Sequence, residues 1–270
     1  MPDVYATITE AERSVLDSLA EVIELRAADP QQQAIRAAYL SHIEFPQDAR
    51  VLEVGCGPGP VARALAVWPG VGEVVGLDPS PRFLELARER VGDIPNLTFV
   101  EGDARALPLD DESFDVLVFH TTLCHVPGPE DALAEAFRVL RPGGWLAVFD
   151  GDYATTTCAN GDSDPLQSCI DATVSFLVHD RWLVRRLIKL VEEARFEDVT
   201  LRSHGYVEAP SGGYMLALVD RGADILRNSG RIGDATADAL KAEARRRSEA
   251  GEFFGHIAYG SAIARRPAAR

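Results

Sequence analysis

The sequence predicts a doubly wound α/β fold, with a mostly parallel sheet, an antiparallel last strand and a helical cap. Three observations carry that expectation. Between Ala49 and Phe149, short β-branched runs alternate with helical patterns in five βα repeats, and parallel strands need crossover connections of this kind. The first run ends in three alternating glycines, and a helix pattern starts at once. The last two β-like runs are separated by helical stretches, which suits an antiparallel edge carrying an insertion.

In chain order, residues 9–40 read as one or two amphipathic helices. Val15, Leu16, Leu19, Val22 and Ile23 fall on one helix face, Pro30 interrupts, and the pattern resumes from Gln31 until Pro46 ends it. This predicts an N-terminal helical cap over 1–45 and a sheet domain over 46–270. Strands follow at 51–54, 74–77, 97–100 and 115–119. Val61, Leu65 and Trp68 mark the first helix between them, and Phe83, Ala87 and Val91 the second. Leu133, Phe137 and Leu140 have helical spacing before the Arg141-Pro142-Gly143-Gly144 turn, which leads into a strand at 145–149. Residues 151–165 are polar and rich in Gly, Asp and Thr, which predicts a long, candidate functional loop. A helix through about 183–194, a strand near 199–202, helices at 214–228 and 234–249, and a strand near 256–264 complete the chain. The helices between the last two strands predict a cap insertion at 211–250.

Composition narrows the function. The 270 residues carry 27 basic and 42 acidic side chains, a net charge of −15. Non-specific nucleic-acid binding depends on neutralising phosphates, so this balance argues against a nucleic-acid partner. No apolar run is long enough for a membrane helix. The N-terminus has early acids and no apolar core of a secretory signal. Cys56, Cys124, Cys158 and Cys169 show no C-x-x-C pairing and read as reduced thiols of a cytoplasmic protein.

The strongest chemical signal is Val51-Leu52-Glu53-Val54-Gly55-Cys56-Gly57-Pro58-Gly59-Pro60. Glycines let the backbone bend tightly and approach a ligand, while the helix start offers free N–H groups. The same loop also serves merely to turn the chain. A dinucleotide fingerprint needs G-x-G-x-x-G, and its third position here is Pro60; a P-loop needs a lysine, and none lies nearby. The second strand ends in Asp78, which suits ribose hydroxyls or, alternatively, a helix N-cap. The third ends in Glu101-Gly102-Asp103-Ala104, where Asp103 suits an adenine amino group or a turn cap. Three successive strand ends thus carry polar chemistry at the carboxyl edge, where open sheets bind ligands.

VLEVGCGPGP, VVGLDPSP, FVEGDARALPLDDESFDVLVFH and EAFRVLRPGGWLAVFD together resemble the successive motifs of class I S-adenosylmethionine-dependent methyltransferases. Within that family they look most like the small-molecule branch that includes ubiquinone/menaquinone-type enzymes. The resemblance covers about residues 50–150 and implies a Rossmann-like fold with S-adenosylmethionine as cofactor. It implies that Gly55, Gly57 and Gly59 pass beside the methionine part, with Glu53 orienting the loop or meeting the amino group. Asp78 then holds the ribose, Pro79, Asp103 and Ala104 face the adenine, and the His120 backbone carbonyl meets the amino group.

Methyl transfer needs alignment and, for some acceptors, a base. His125, Asp150 and Tyr153 lie just past the fourth and fifth strands and are the candidate catalytic residues. Each has a plainer alternative: His125 as a turn anchor, Asp150 as a loop cap, Tyr153 as a lid aromatic. Arg36 and Tyr39, one helical turn apart, are candidates for reaching the cofactor from the cap. Asp150 and Asp152 suit magnesium, but the fourth strand ends in His120, not an acid, so no metal is expected. The expected function is methyl transfer to an O, C or N atom of a small-molecule acceptor, with a homodimer left open as the assembly. A non-catalytic cofactor-binding sensor or assembly protein is the alternative.

Overall fold

The computed structural model describes Tyr5 and residues 7–208 and 213–269. Seven strands form one sheet: β1 (Ala49–Val54), β2 (Val71–Asp78), β3 (Leu97–Glu101), β4 (Phe114–His120), β5 (Leu140–Thr157), β6 (Glu197–Val207) and β7 (His256–Arg265). Their order is β3-β2-β1-β4-β5-β7-β6. The first five are parallel, and β7 is antiparallel to both β5 and β6. Parallel strands covered on both faces read as near-continuous apolar runs, and Val51, Leu52, Val116, Leu117, Val118 and Phe119 are all fully buried.

Nine α-helices lie among the described residues: α1 (Arg13–Ala28), α2 (Pro30–Leu40), α3 (Pro60–Ala66), α4 (Pro81–Arg90), α5 (Pro129–Val139), α6 (Pro165–Leu177), α7 (Leu187–Glu193), α8 (Tyr214–Asn228) and α9 (Asp234–Glu249). Helices α2 to α6 each begin with proline, whose fixed φ suits the first helical position and whose missing N–H costs nothing there. Pro30, which interrupts the apolar pattern in the sequence, is therefore the start of α2. Asp29 joins the two helices. Its N–H donates to the Arg26 carbonyl and its carboxylate accepts from the N–H groups of Gln31 and Gln32.

Two stretches differ from expectation. Residues 151–157 continue β5 instead of opening a loop, because β7 pairs with them: Gly151 faces Tyr259, Asp152 faces Ala258 and Thr157 faces His256. The polar side chains there mark a strand at the sheet's rim, with β-branched threonines suited to it. The helix α6 follows where no helix was expected. Its signal is the Asp164 cap, which accepts from the Leu166 N–H at 3.0 Å, with Pro165 at the first turn. The 183–194 helix divides into a 3-10 turn (Leu183–Arg186) and α7.

Ile35, Tyr39 and Leu40 of α2 and Met215, Val219 and Ala237 of α8 and α9 belong to one core cluster with the sheet. A second cluster joins Leu16, Leu19 and Ala20 of α1, and Ile8 before it, to Phe83 and Leu86 of α4 and Leu177 of α6. The 1–45 cap is thus physically two parts: α2 is core, α1 a cover. Residues 1–4 and 6 of that cap, and 211–212 of the 211–250 insertion, lie outside the described residues.

Helices α6 and α8 meet backbone to backbone at Gly222, where an added Cβ would fall 1.9 Å from the Cys169 carbonyl oxygen. Overpacking of a tight core costs about 1–3 kcal/mol. Gly222→Ala is expected to lower stability by that amount or more in denaturant unfolding. A variant as stable as the parent would show that the helices separate freely.

Candidate active site

The carboxyl ends of β1, β2 and β4 lie side by side, as Val54 pairs with Leu77 and with Phe119. A cavity of about 240 Å3 opens there. It is lined by Glu53, Gly55, Gly57, Asp78, Pro79, Asp103, Ala104, His120 and His125, with Arg26 and Arg36 facing in from the N-terminal helices. Nearly all the expected cofactor residues therefore share one space.

The glycine loop is built by local geometry. Gly55, Gly57 and Gly59 have φ of 74°, 54° and 83°, the left-handed region that side chains disfavour. At Gly55 an added Cβ would also fall 2.3 Å from the Thr122 methyl group. Gly59 is not among the residues lining the cavity. It is the N-cap of α3, and an added Cβ would meet the Phe99 ring at 3.0 Å and Ala87 at 3.2 Å, so its lack of a side chain also serves helix packing.

Glu53 is 2% exposed, and its Oε2 has no hydrogen-bond partner. Burial pushes its carboxyl up to about 8, against the pull of the Arg36 guanidinium. Asp78 binds the loop: Oδ2 accepts from the Gly57 N–H at 2.8 Å and Oδ1 from the Ser80 N–H at 2.9 Å. Burial lifts its carboxyl to about 6, opposed by those two bonds. The N-cap of α4 is Ser80, whose hydroxyl accepts from the Phe83 N–H, so Asp78 is not the cap. Asp103 is exposed and forked onto Arg105, with Oδ2 and Nη2 2.6 Å apart; this ion pair holds its carboxyl below the usual range.

The His120 backbone carbonyl accepts from the Thr121 hydroxyl at 2.7 Å. The Thr122 hydroxyl, with one proton to donate, lies 3.1 Å from the Val54 carbonyl and 3.3 Å from that of His120, so the His120 carbonyl keeps acceptor capacity beside the cavity. The His120 ring lies 2.9 Å from the Tyr39 hydroxyl through Nδ1 and stacks on Phe149. Burial, with Arg26 and Arg36 nearby, holds its imidazole well below the usual range and therefore neutral.

The three candidate catalytic residues separate. His125 ends a 3-10 turn (Leu123–His125) and packs on the Tyr5 ring at 4.4 Å. It lines both the cavity and a smaller chamber of about 60 Å3 beside it. Asp150 is fully buried and lines neither. Its carboxylate accepts from the N–H groups of Cys124 at 3.1 Å and Gly151 at 2.9 Å. It is thus a positioning residue for the turn that carries His125. Tyr153 lines the smaller chamber, and burial pushes its phenol well above the usual range. Burial thus favours its protonated form.

Among the described residues no group of three or more His, Cys, Asp or Glu side chains is placed to hold a metal ion. No described helix is long and apolar enough to cross a membrane. Arg26, Gln32 and Thr122 line the cavity but were not expected there. Arginine and glutamine on a helix read as a solvated face, and only the placement of α1 and α2 against the sheet edge reveals otherwise.

Residues 52–148 match the family described as "Methyltransferase domain". That stretch is similar to methyltransferase domains. The chain's sheet is Rossmann-like, parallel through β5 and antiparallel at β7. The chain is 32% identical over 195 residues to an uncharacterized 37.1 kDa transposon protein of Streptomyces fradiae, across 72% of this chain and 54% of that one. It is 34% identical over 126 residues to a demethylmenaquinone methyltransferase of Staphylococcus epidermidis, across 46% of this chain and 52% of the relative. The chain thus spans about half the length of these curated relatives. In fold it is similar to a putative methyltransferase from Bacillus halodurans, with a TM-score of 0.59, 21% identity, and coverage of 86% of this chain and 98% of that one.

The raised carboxyl of Glu53 gives a pH prediction. In the unfolded chain Glu53 ionises near 4.5, but in the fold only near 8. The folded form therefore binds the proton more tightly, and stability from this group falls as pH rises from about 4.5 to 8. Glu53→Gln is a neutral isostere without that penalty. Ligand-free, the variant is expected to unfold at the same temperature as the parent near pH 4.5 and at a higher one above pH 8. A difference that stays constant with pH would show that Glu53 ionises normally.

Proposed function

We propose that the protein binds S-adenosylmethionine and transfers its methyl group to an O, C or N atom of a small-molecule acceptor, releasing S-adenosylhomocysteine. The observation that carries this reading is the pair of buried carboxyls, Glu53 and Asp78, on neighbouring strand ends facing one cavity beside the glycine loop. The unpartnered Glu53 Oε2 suits the ammonium group of the cofactor, and Arg36 on the same wall suits its carboxylate. Asp78 has lone pairs left for ribose hydroxyls after its two backbone bonds. Pro79 and Ala104 offer apolar surface for the adenine.

The cofactor supplies a methyl group already activated on a sulfonium. The chain's own residues then have to align the acceptor, exclude water and, for an acceptor that must lose a proton, take that proton. His125 is the residue for the last task, since it stands where the cavity and the smaller chamber meet. Asp150 fixes its turn, and α1 covers the space. The four cysteines are free and buried, which supports a reducing, cytoplasmic setting.

Incubation with methyl-labelled cofactor and a small-metabolite extract tests the reading. Label is expected in low-mass products. Saturable cofactor binding with no transfer to any fraction would favour the sensor alternative.

A further inference from the structure

Beside the cofactor cavity lies the smaller chamber of about 60 Å3, which shares Tyr5, Ile23, Arg26 and His125 with it. Its walls are largely apolar: Leu19 and Val22 from α1, Val174 and Leu177 from α6, and Leu218 from α8. Two polar features break that surface. The Arg26 guanidinium donates to the Thr121 hydroxyl at 2.7 Å, yet among the described residues no carboxylate lies within ion-pair distance of it. The Thr156 hydroxyl, on a residue 6% exposed, lines the chamber with no hydrogen-bond partner.

A half-buried cation without a counter-charge costs free energy, and so does an unmatched buried hydroxyl. Both deficits are offset by a ligand that brings an anionic oxygen. The amino-acid end of the cofactor does not need Arg26. Arg36, which pulls the Glu53 carboxyl down electrostatically, supplies a cation at that end, whereas Arg26 faces Tyr214, with its guanidinium carbon 6.0 Å from the ring centre, on the chamber side.

We propose that Arg26 is the anion anchor of an acceptor chamber, and that the acceptor is a compact apolar molecule bearing one ionised oxygen acid, a carboxylate or a phenolate. This rests on the methyl-transfer reading above. Size supports compactness, because a cavity of about 150 Å3 holds benzene and this chamber is smaller, so it takes one end of a single ring or a short branched chain. The rest of the acceptor extends to the shared mouth, beside His125.

The test uses the full chain saturated with S-adenosylhomocysteine, with benzoate, 4-nitrophenolate and neutral benzyl alcohol as probes, followed by calorimetry or ligand-observed NMR. At least one anion is expected to bind tenfold or more tightly than benzyl alcohol. Preference for benzoate assigns a carboxylate acceptor, preference for 4-nitrophenolate a phenolate. Arg26→Met is expected to abolish the anion preference while S-adenosylhomocysteine affinity stays within twofold, and Arg26→Lys to retain part of it. The proposal is overturned if the parent shows no anion preference, or if the preference survives in Arg26→Met. It is also overturned if that variant loses tenfold in S-adenosylhomocysteine affinity, since the guanidinium would then serve the cofactor. If Arg26→Met does not fold, the parent and Arg26→Lys decide. Failure of the parent to bind S-adenosylhomocysteine at all would instead strike the methyl-transfer reading.

Discussion

His125→Gln is expected to lower turnover by roughly 10²–10⁴ for an acceptor that must lose a proton, with cofactor affinity nearly unchanged. The histidine stands at the junction of the two spaces. Asp150 is bonded to backbone N–H groups, burial favours the protonated form of Tyr153, and His120 lies between Tyr39 and Phe149. Glutamine preserves a hydrogen-bonding side chain of similar reach, so the variant removes proton transfer more than packing. A merely structural histidine would lower stability and reduce binding and turnover together. Normal turnover with an unchanged pH–rate profile would leave alignment as the whole mechanism. Tyr153→Phe is expected to have the smaller effect, confined to acceptor binding.

The second large effect is at Asp78. Asp78→Ala is expected to weaken S-adenosylhomocysteine binding by roughly 1.5–3 kcal/mol, through loss of charge-assisted bonds. The carboxylate has two tasks, since it ties Gly57 and Ser80 together and faces the cavity. Asn does not replace it cleanly, because its NH₂ group would point at one of those two N–H donors. Calorimetry on a variant with native circular dichroism is the measurement. Unchanged affinity would remove Asp78 from the ribose site.

The five βα repeats were legible because buried parallel strands and amphipathic helices leave distinct periods in the sequence. The carboxyl-edge residues Glu53, Gly55, Gly57, Asp78 and Ala104 were legible because each sits at or just past a strand end, so topology alone delivers them to one place. What long-range packing decides was not legible. Residues 151–157 became strand only because β7 runs beside them. Gly59 reads like its neighbours in the loop, yet its lack of a side chain makes room for Phe99. Asp150 and His125 were equal candidates on paper, and only depth separates a residue inside the wall from one on its surface. Arg26 left no local sign, because its significance comes from the carboxylate it lacks.

The junction at Asp29 has a mechanical consequence. One residue ends α1 and starts α2, and the Tyr206 hydroxyl on β6 donates to the same carboxylate at 3.2 Å, so the joint is pinned to the sheet. The rest of α1 is tied down as well, through ion pairs of Asp17 with Arg82, Glu21 with Arg90 and Glu24 with Arg63. Its polar face is therefore clamped to α3 and α4, while Leu19, Val22 and Ile23 face the smaller chamber. One helix thus carries two independent jobs on two faces. Changes at those three apolar positions reshape the chamber without breaking the clamp or touching the sheet.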